Sequence, residues 1–236
     1  MALTFRLFSC LVCSLVLAGC AGVDVLDPVH RGPYFVPKNY TGDPSLGGMR
    51  RVVVLPVCGG AVAAPEAVAA LDAVFVEALQ GVNRFEIVTL SREECLRRFH
   101  APELASTAAL PHGLLTQLKQ EFAADAVLFV DITVFSAYRP LAIGLRAKLA
   151  AIDGSRLVWT FDNVFSADDP TVANAARRHY LTGDRGGMPA DLSPGVLQSP
   201  ARFAGYAAAT MFSTLPPVVV PVNPRNSAPG AKVVPN

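Results

Sequence analysis

Residues 126–135 read Ala-Val-Leu-Phe-Val-Asp-Ile-Thr-Val-Phe, with Asp131 and Thr133 as the polar positions. Successive side chains of an extended chain point to opposite faces, so a run apolar at both parities needs cover on both. Such a run predicts a central strand, and the rest of the chain must supply what covers it. The two segments that follow alternate instead. In residues 141–152, Leu145, Ala147 and Leu149 oppose Arg146 and Lys148. In residues 156–165, Leu157, Trp159 and Phe161 oppose Thr160 and Asp162. Asp153-Gly154 between them signals a tight hairpin, which makes these strands antiparallel neighbours.

Upstream, residues 51–57 are β-branched and apolar, as suits a buried strand. Residues 66–80 place Val68, Leu71, Phe75 and Leu79 on one helical face, with Asp72 and Glu77 away from it. Residues 85–90 form a second strand. Ser91 with Glu94 makes a capping box that starts a helix to about residue 99. Pro111 suits the first turn of the next helix, whose apolar face is Leu114, Leu115, Leu118 and Phe122. The order β-α-β-α-β-β-β predicts an α/β domain, a mixed sheet with helices packed on it. Two C-terminal helices follow. Asp169-Pro170 caps one that runs to about residue 180, and Ser199-Pro200 caps another with Phe203, Tyr206, Ala207 and Met211 inward.

The runs RRVVVLPV (residues 50–57) and ADAVLFVDITVFSAYRPLAIGLRAKLAAIDGSRLVWTF (residues 124–161) are similar to a group of periplasmic lipoprotein domains. The group includes the curli-secretion lipoprotein, the amino-terminal domain of the Tol translocation protein, the Pel-polysaccharide export lipoprotein and an outer-membrane activator of peptidoglycan synthases. The shared features are a VVVLP-like opening strand, Ala-Asp-Ala before an apolar strand, and a hairpin of the form ID-G-x-x-VW. The likeness spans roughly residues 51–166 and implies architecture; it supplies no catalytic residues.

The amino terminus has its own signal. Residues 7–17 are an apolar run broken only by Ser9 and Ser14, and Arg6 is the one charge before Asp24. The run is shorter than the ~18 residues a membrane-spanning helix requires, and reads as an export signal. It ends in Leu17-Ala18-Gly19-Cys20, which resembles the lipobox of bacterial lipoproteins. That resemblance implies cleavage before Cys20 and lipid on its thiol and new amino terminus, an anchor of several acyl chains. Ala21 stands where an aspartate would signal inner-membrane retention, so the expected place is the outer membrane, facing the periplasm. The chain divides accordingly into a signal peptide (residues 1–19), a lipidated tether (20–50) without sustained period, the α/β domain (51–215) and a proline-rich tail (216–236).

Removing residues 1–19 takes away Arg6 alone and leaves nineteen basic against nineteen acidic side chains. Nothing in that balance provides the basic surface of a nucleic-acid binder. Cys58 and Cys95 remain as a pair in an oxidising compartment. Parallel strands would bring them to one edge of the sheet, so a disulfide and two buried thiols are both open. His30, His100, His112 and His179 lack ligand spacing, so no metal or other cofactor is expected. Asp168-Asp169 is explained by helix capping, and Arg177-Arg178 by the carboxyl end of the same helix. The glycine-rich GDRGG at residues 183–187 lacks the lysine and hydroxyl of a phosphate loop.

These features predict a non-enzymatic, lipid-anchored interaction or assembly module of a cell-envelope complex. Its partner would be another envelope protein or a second copy. A periplasmic hydrolase of envelope polymers, or a small-ligand-binding lipoprotein with its pocket at the strand ends, stand as alternatives. Residues 181–198, rich in glycine and proline between two capped helices, are either a tolerated insertion or a partner-binding loop. A binding loop would use Asp184, Arg185, Asp191 and Leu192, with Val196 and Leu197 adding apolar surface.

Overall fold

The domain is built on one six-stranded mixed sheet in the order β1-β6-β5-β4-β2-β3. The structure, a computed structural model, describes residues 28–43, 46, 48–183 and 193–217. Strands β2 (Arg51–Val54), β3 (Glu86–Thr89) and β4 (Ala126–Ser136) are parallel, with β2 between the other two. Strands β5 (Ala142–Ala151) and β6 (Leu157–Ser166) continue antiparallel from β4, and β1 (Tyr40–Gly42) closes the far edge. The α/β class, the mixed sheet with helices packed on it and the two C-terminal helices are as expected from the sequence, whereas β1 is an additional strand.

Alternation sorts the central strands into two cores. Val52, Val54, Ala126, Leu128, Val130, Leu145, Ala147, Leu149, Trp159 and Phe161 face the larger one. It is covered by α3 (Asp72–Gly81), α6 (Pro170–Gly183) and α7 (Pro200–Ser213), through side chains such as Phe75, Val172, Phe203 and Phe212. Val53, Leu55, Val127 and Phe129 face the smaller core, closed by α4 (Arg92–Phe99) and α5 (Leu114–Phe122) through Cys95, Phe99, Leu114 and Leu118. Beyond this second layer, β5 and β6 carry a polar face, where Arg146 pairs with Asp162 across the strands at 2.8 Å. Both partners are more than a third exposed, so the pair adds little stability.

The local signals find physical partners. Asp125, in the Ala-Asp-Ala sequence, accepts from the backbone N–H of Arg50 and Arg51 at 2.8 and 3.0 Å, fixing the start of β2 beside β4. Asp153 Oδ1 accepts from the Ser155 N–H and hydroxyl in the hairpin, whose loop is longer than a two-residue turn and closes with Ala151 N–H on the Arg156 carbonyl. Trp159 is buried and donates its indole N–H to Thr214 just past α7. Asp169 caps α6 by accepting from the Thr171 N–H and hydroxyl, and Ser91 and Ser199 accept from the N–H groups of Glu94 and Arg202.

Several expectations are corrected. Among the described residues of the stretch read as a tether, several pack on the domain. A short α1 (Pro28–Arg31) buries Val29, Phe35 lies 5.0 Å from Phe165, and β1 pairs with β6. A three-residue strand has no period to detect; it forms here on the backbone edge that β6 offers. The helix expected over residues 66–80 is two, α2 (Pro65–Ala69) and α3, separated where Leu71 N–H turns back to the Val68 carbonyl in a tighter step. Pro111 precedes the helix it was expected to start, since α5 begins after Gly113 in a left-handed conformation. Leu157, expected inward with Trp159, is exposed, because an irregularity opposite Leu149 and Ala150 brings Val158 inward instead. Of residues 181–198, the first three extend α6 and Ser193–Gln198 form a 3-10 helix. Val196, expected as exposed binding surface, is in the core, and Leu197 packs against it.

Phe161 stacks between Trp159 and Phe165 at centroid distances of 6.1 and 6.3 Å. Phe161→Ala is therefore expected to cost about 3–5 kcal/mol. The cost should appear as a lower urea midpoint at unchanged slope, followed by the emission of the single tryptophan, Trp159.

Candidate interaction site at the strand ends

After β2 the chain crosses to β3 through α3 on one face, and after β3 it crosses back to β4 through α4 and α5 on the other. Neighbouring strands whose following helices diverge leave a crevice outside their carboxyl ends. It is present here as a cavity of about 650 Å³, floored by Val54, Val57, Phe75, Val130 and Phe212. Its polar groups include Asp72 and Arg92, the first residues of α3 and α4, with Glu93 and Glu94 beside Arg92 on α4.

Arg92 organises them. Its Nε and Nη2 donate to Asp72 at 2.7 and 3.0 Å, Nη2 also donates to the Val57 carbonyl at 2.6 Å, and Nη1 donates to Glu103 at 2.6 Å. Asp72 accepts in turn from the Val57 N–H at 2.9 Å. Glu103 accepts from the N–H groups of Gly59 and Gly60, both at 3.1 Å, and from the Cys58 thiol at 3.5 Å. The loop can come this close because Gly59 has no side chain; a Cβ there would lie 2.3 Å from Val68. The cluster ties the β2 extension, α3, α4 and the loop after α4 to one guanidinium.

The electrostatics follow from these bonds. Burial pulls Arg92 down, yet its two carboxylate partners hold it above its ordinary value. Burial pushes Glu103 up, but the Arg92 guanidinium and the Gly60 and Gly59 N–H groups together bring it below the usual carboxylate value. Cys58 is pushed up to about 11 by burial, then by the charges of Glu103 and Asp131. Cys95 is likewise pushed up to about 11, first by burial and then by Glu94. Neither thiol ionises near neutrality, so neither is set up as a nucleophile.

The expected site residues divide as follows. Cys58 and Cys95 are both buried free thiols, so the bridge left open by the sequence is absent. The two belong to different surroundings: Cys58 bridges to Asp131 beside β4, and Cys95 sits in the smaller core. Cys20, Asp184, Arg185, Asp191 and Leu192 lie outside the described residues. Among the described residues, no group of three or more His, Cys, Asp or Glu is placed to hold a metal ion. Arg92, Asp72 and Glu103 were missed as a unit because residues at positions 72, 92 and 103 meet only once the crossovers are folded. In the sequence, Asp72 reads as the polar side of an amphipathic helix and Arg92 follows a capping serine, so each is explained locally.

No protein-family model and no curated protein matches the chain in sequence. Among solved structures it is similar to a PelC dodecamer from Paraburkholderia phytofirmans, at 12% identity and a TM-score of 0.41, over 73% of this chain and 95% of that one. It is similar to lipoprotein GNA1162 from Neisseria meningitidis, at 16% identity and a TM-score of 0.38, over 51% and 85%. A third is the C-terminal domain of LpoB from Salmonella enterica, at 15% identity and a TM-score of 0.33, over 51% and 86%. Likenesses at these values carry no inference about what the chain does.

The cluster makes a prediction with a definite sign. Because the folded state holds Glu103 below its ordinary value of 4.5, its contribution to stability is present above that value. It is lost as the pH falls through the lowered one. Urea midpoints of Glu103→Gln should therefore show less loss between the ordinary and the lowered value than those of the unaltered protein. Arg92→Met leaves two carboxylates unpaired in a partly solvated site, and is expected to cost about 1–3 kcal/mol at neutral pH. Adding Glu103→Gln to it should recover part of that loss.

Proposed function

We propose that this chain is a non-catalytic, lipid-anchored protein of the bacterial cell envelope. It is held at the outer membrane through Cys20, facing the periplasm. Its α/β domain serves as an interaction or assembly module in a complex for secretion, polysaccharide export or cell-wall synthesis. The anchor rests on the resemblance of residues 17–20 to a lipobox behind a short apolar run, and no described helix is long and apolar enough to cross a membrane.

The observation that carries the non-catalytic reading is the saturation of Arg92. At the crevice where an α/β fold usually places its chemistry, the cation is engaged by Asp72, Glu103 and the Val57 carbonyl. Asp72 and Glu103 are themselves hydrogen-bonded to the backbone. Groups held this way shape a surface, whereas a general acid or base needs a proton free to move to substrate. The partner is another envelope protein or a second copy of the chain.

Both parts can be tested in one cell experiment. The wild-type chain should fractionate with the outer membrane, carry a mass above that of residues 20–236, and form defined products with a chemical cross-linker in intact cells. Cys20→Ser should remain unprocessed or leave the membrane, and lose those products. An unmodified wild-type chain in the soluble periplasm, or an absence of any cross-linked product, would overturn the proposal.

A further inference from the structure

The crevice has a neighbour. A second cavity, of about 510 Å³, lies beside α2 and is walled by Ala63, Val68 and Pro102, with Glu66 and Glu103 at its edge. The two cavities share Ala69 and Arg92. They therefore form one groove across the strand ends, apolar in two compartments and crossed by the Arg92 cluster. Apolar compartments open to water favour an occupant that brings apolar side chains.

The rim selects what accompanies those side chains. Among the described lining residues Arg92 is the one cation, and it is already engaged by two carboxylates. Glu94 is balanced by Arg97 and Arg98 on its own helix. Glu66 and Glu93 are exposed at opposite compartments, and neither is in an ion pair among the described residues. The amino terminus of α4 could otherwise attract an anion, but the Ser91 hydroxyl caps it and Glu93 and Glu94 occupy its first turn. A neutral apolar occupant would strip water from Glu66 and Glu93 without replacing it, whereas a cationic one would pair with them.

We propose that this groove docks a basic, apolar peptide segment of a partner protein. Its apolar side chains enter the two cavities, and its lysine or arginine side chains meet Glu66 and Glu93. The proposal rests on the interaction-module reading above and gives that module's partner a chemistry.

The test uses the purified full chain and three fluorescent synthetic peptides: alternating leucine and lysine, alternating leucine and glutamate, and lysine alone. The leucine–lysine peptide should bind, more weakly as salt is raised, and the Glu66→Lys/Glu93→Lys double variant should bind it at least about tenfold less tightly. Both replaced side chains are exposed, and unchanged circular dichroism and Trp159 emission will confirm that the variant is folded. The lysine-only peptide should bind about tenfold or more less tightly than the mixed one, because it leaves the cavities unfilled. Equal binding of the acidic peptide, equal binding of lysine alone, or indifference to the double variant would overturn the proposal. So would self-association of the chain that the double variant abolishes while peptide binding is absent. Cross-linked products that persist in cells while the peptides fail would leave the interaction module standing and remove only the groove assignment.

Discussion

Val127 and Phe129 face one side of β4, and Leu128 and Val130 face the other, with almost no surface of any of them left to solvent. Burial on both sides is the constraint from which the remaining placement follows. One layer of helices cannot satisfy it, so the crossovers on either side of β3 lie on opposite faces. That divergence opens the crevice at the carboxyl ends of β2 and β3. The candidate site is thus a consequence of how the central strand is covered, and its position would be the same for many sequences with this pattern.

What fills the crevice is particular to this chain. Arg92 bonds to residues of α3, the β2 extension and the loop after α4, so segments from both layers meet on one charge. The desolvation that an arginine meets here is offset by two carboxylates, which are themselves supported by backbone N–H groups. An arrangement of this kind holds loops in register around an apolar crevice. It also leaves acidic side chains at the rim, and so gives the opening both shape and sign.

The fold was legible wherever periodicity was long. The two-sided run of β4, the alternation in β5 and β6, and the caps at Ser91, Asp169 and Ser199 each describe interactions within a few residues. What was not legible depended on distant chain. Nothing within residues 40–42 announces a strand, because β1 exists only where β6 exposes an edge. The alternation of residues 157–161 was readable, but not the irregularity that exposes Leu157 and buries Val158. The site was illegible for the same reason: Asp72, Arg92 and Glu103 converge through two crossovers. Residues 181–198 were read from composition as a tolerated insertion or a binding loop, and composition cannot foresee that Val196 anchors the end of the segment in the core.

The groove at the strand ends is proposed to face a partner in the envelope. Amide hydrogen exchange tests it most directly, with the protein compared in native membranes and after extraction and purification. Slower exchange is expected in membranes at Arg92 and Glu93, whose N–H groups open α4 ahead of the Glu94 N–H that Ser91 caps. Identical exchange there in both states, with protection confined to the polar face of β5 and β6 or found nowhere, would contradict it.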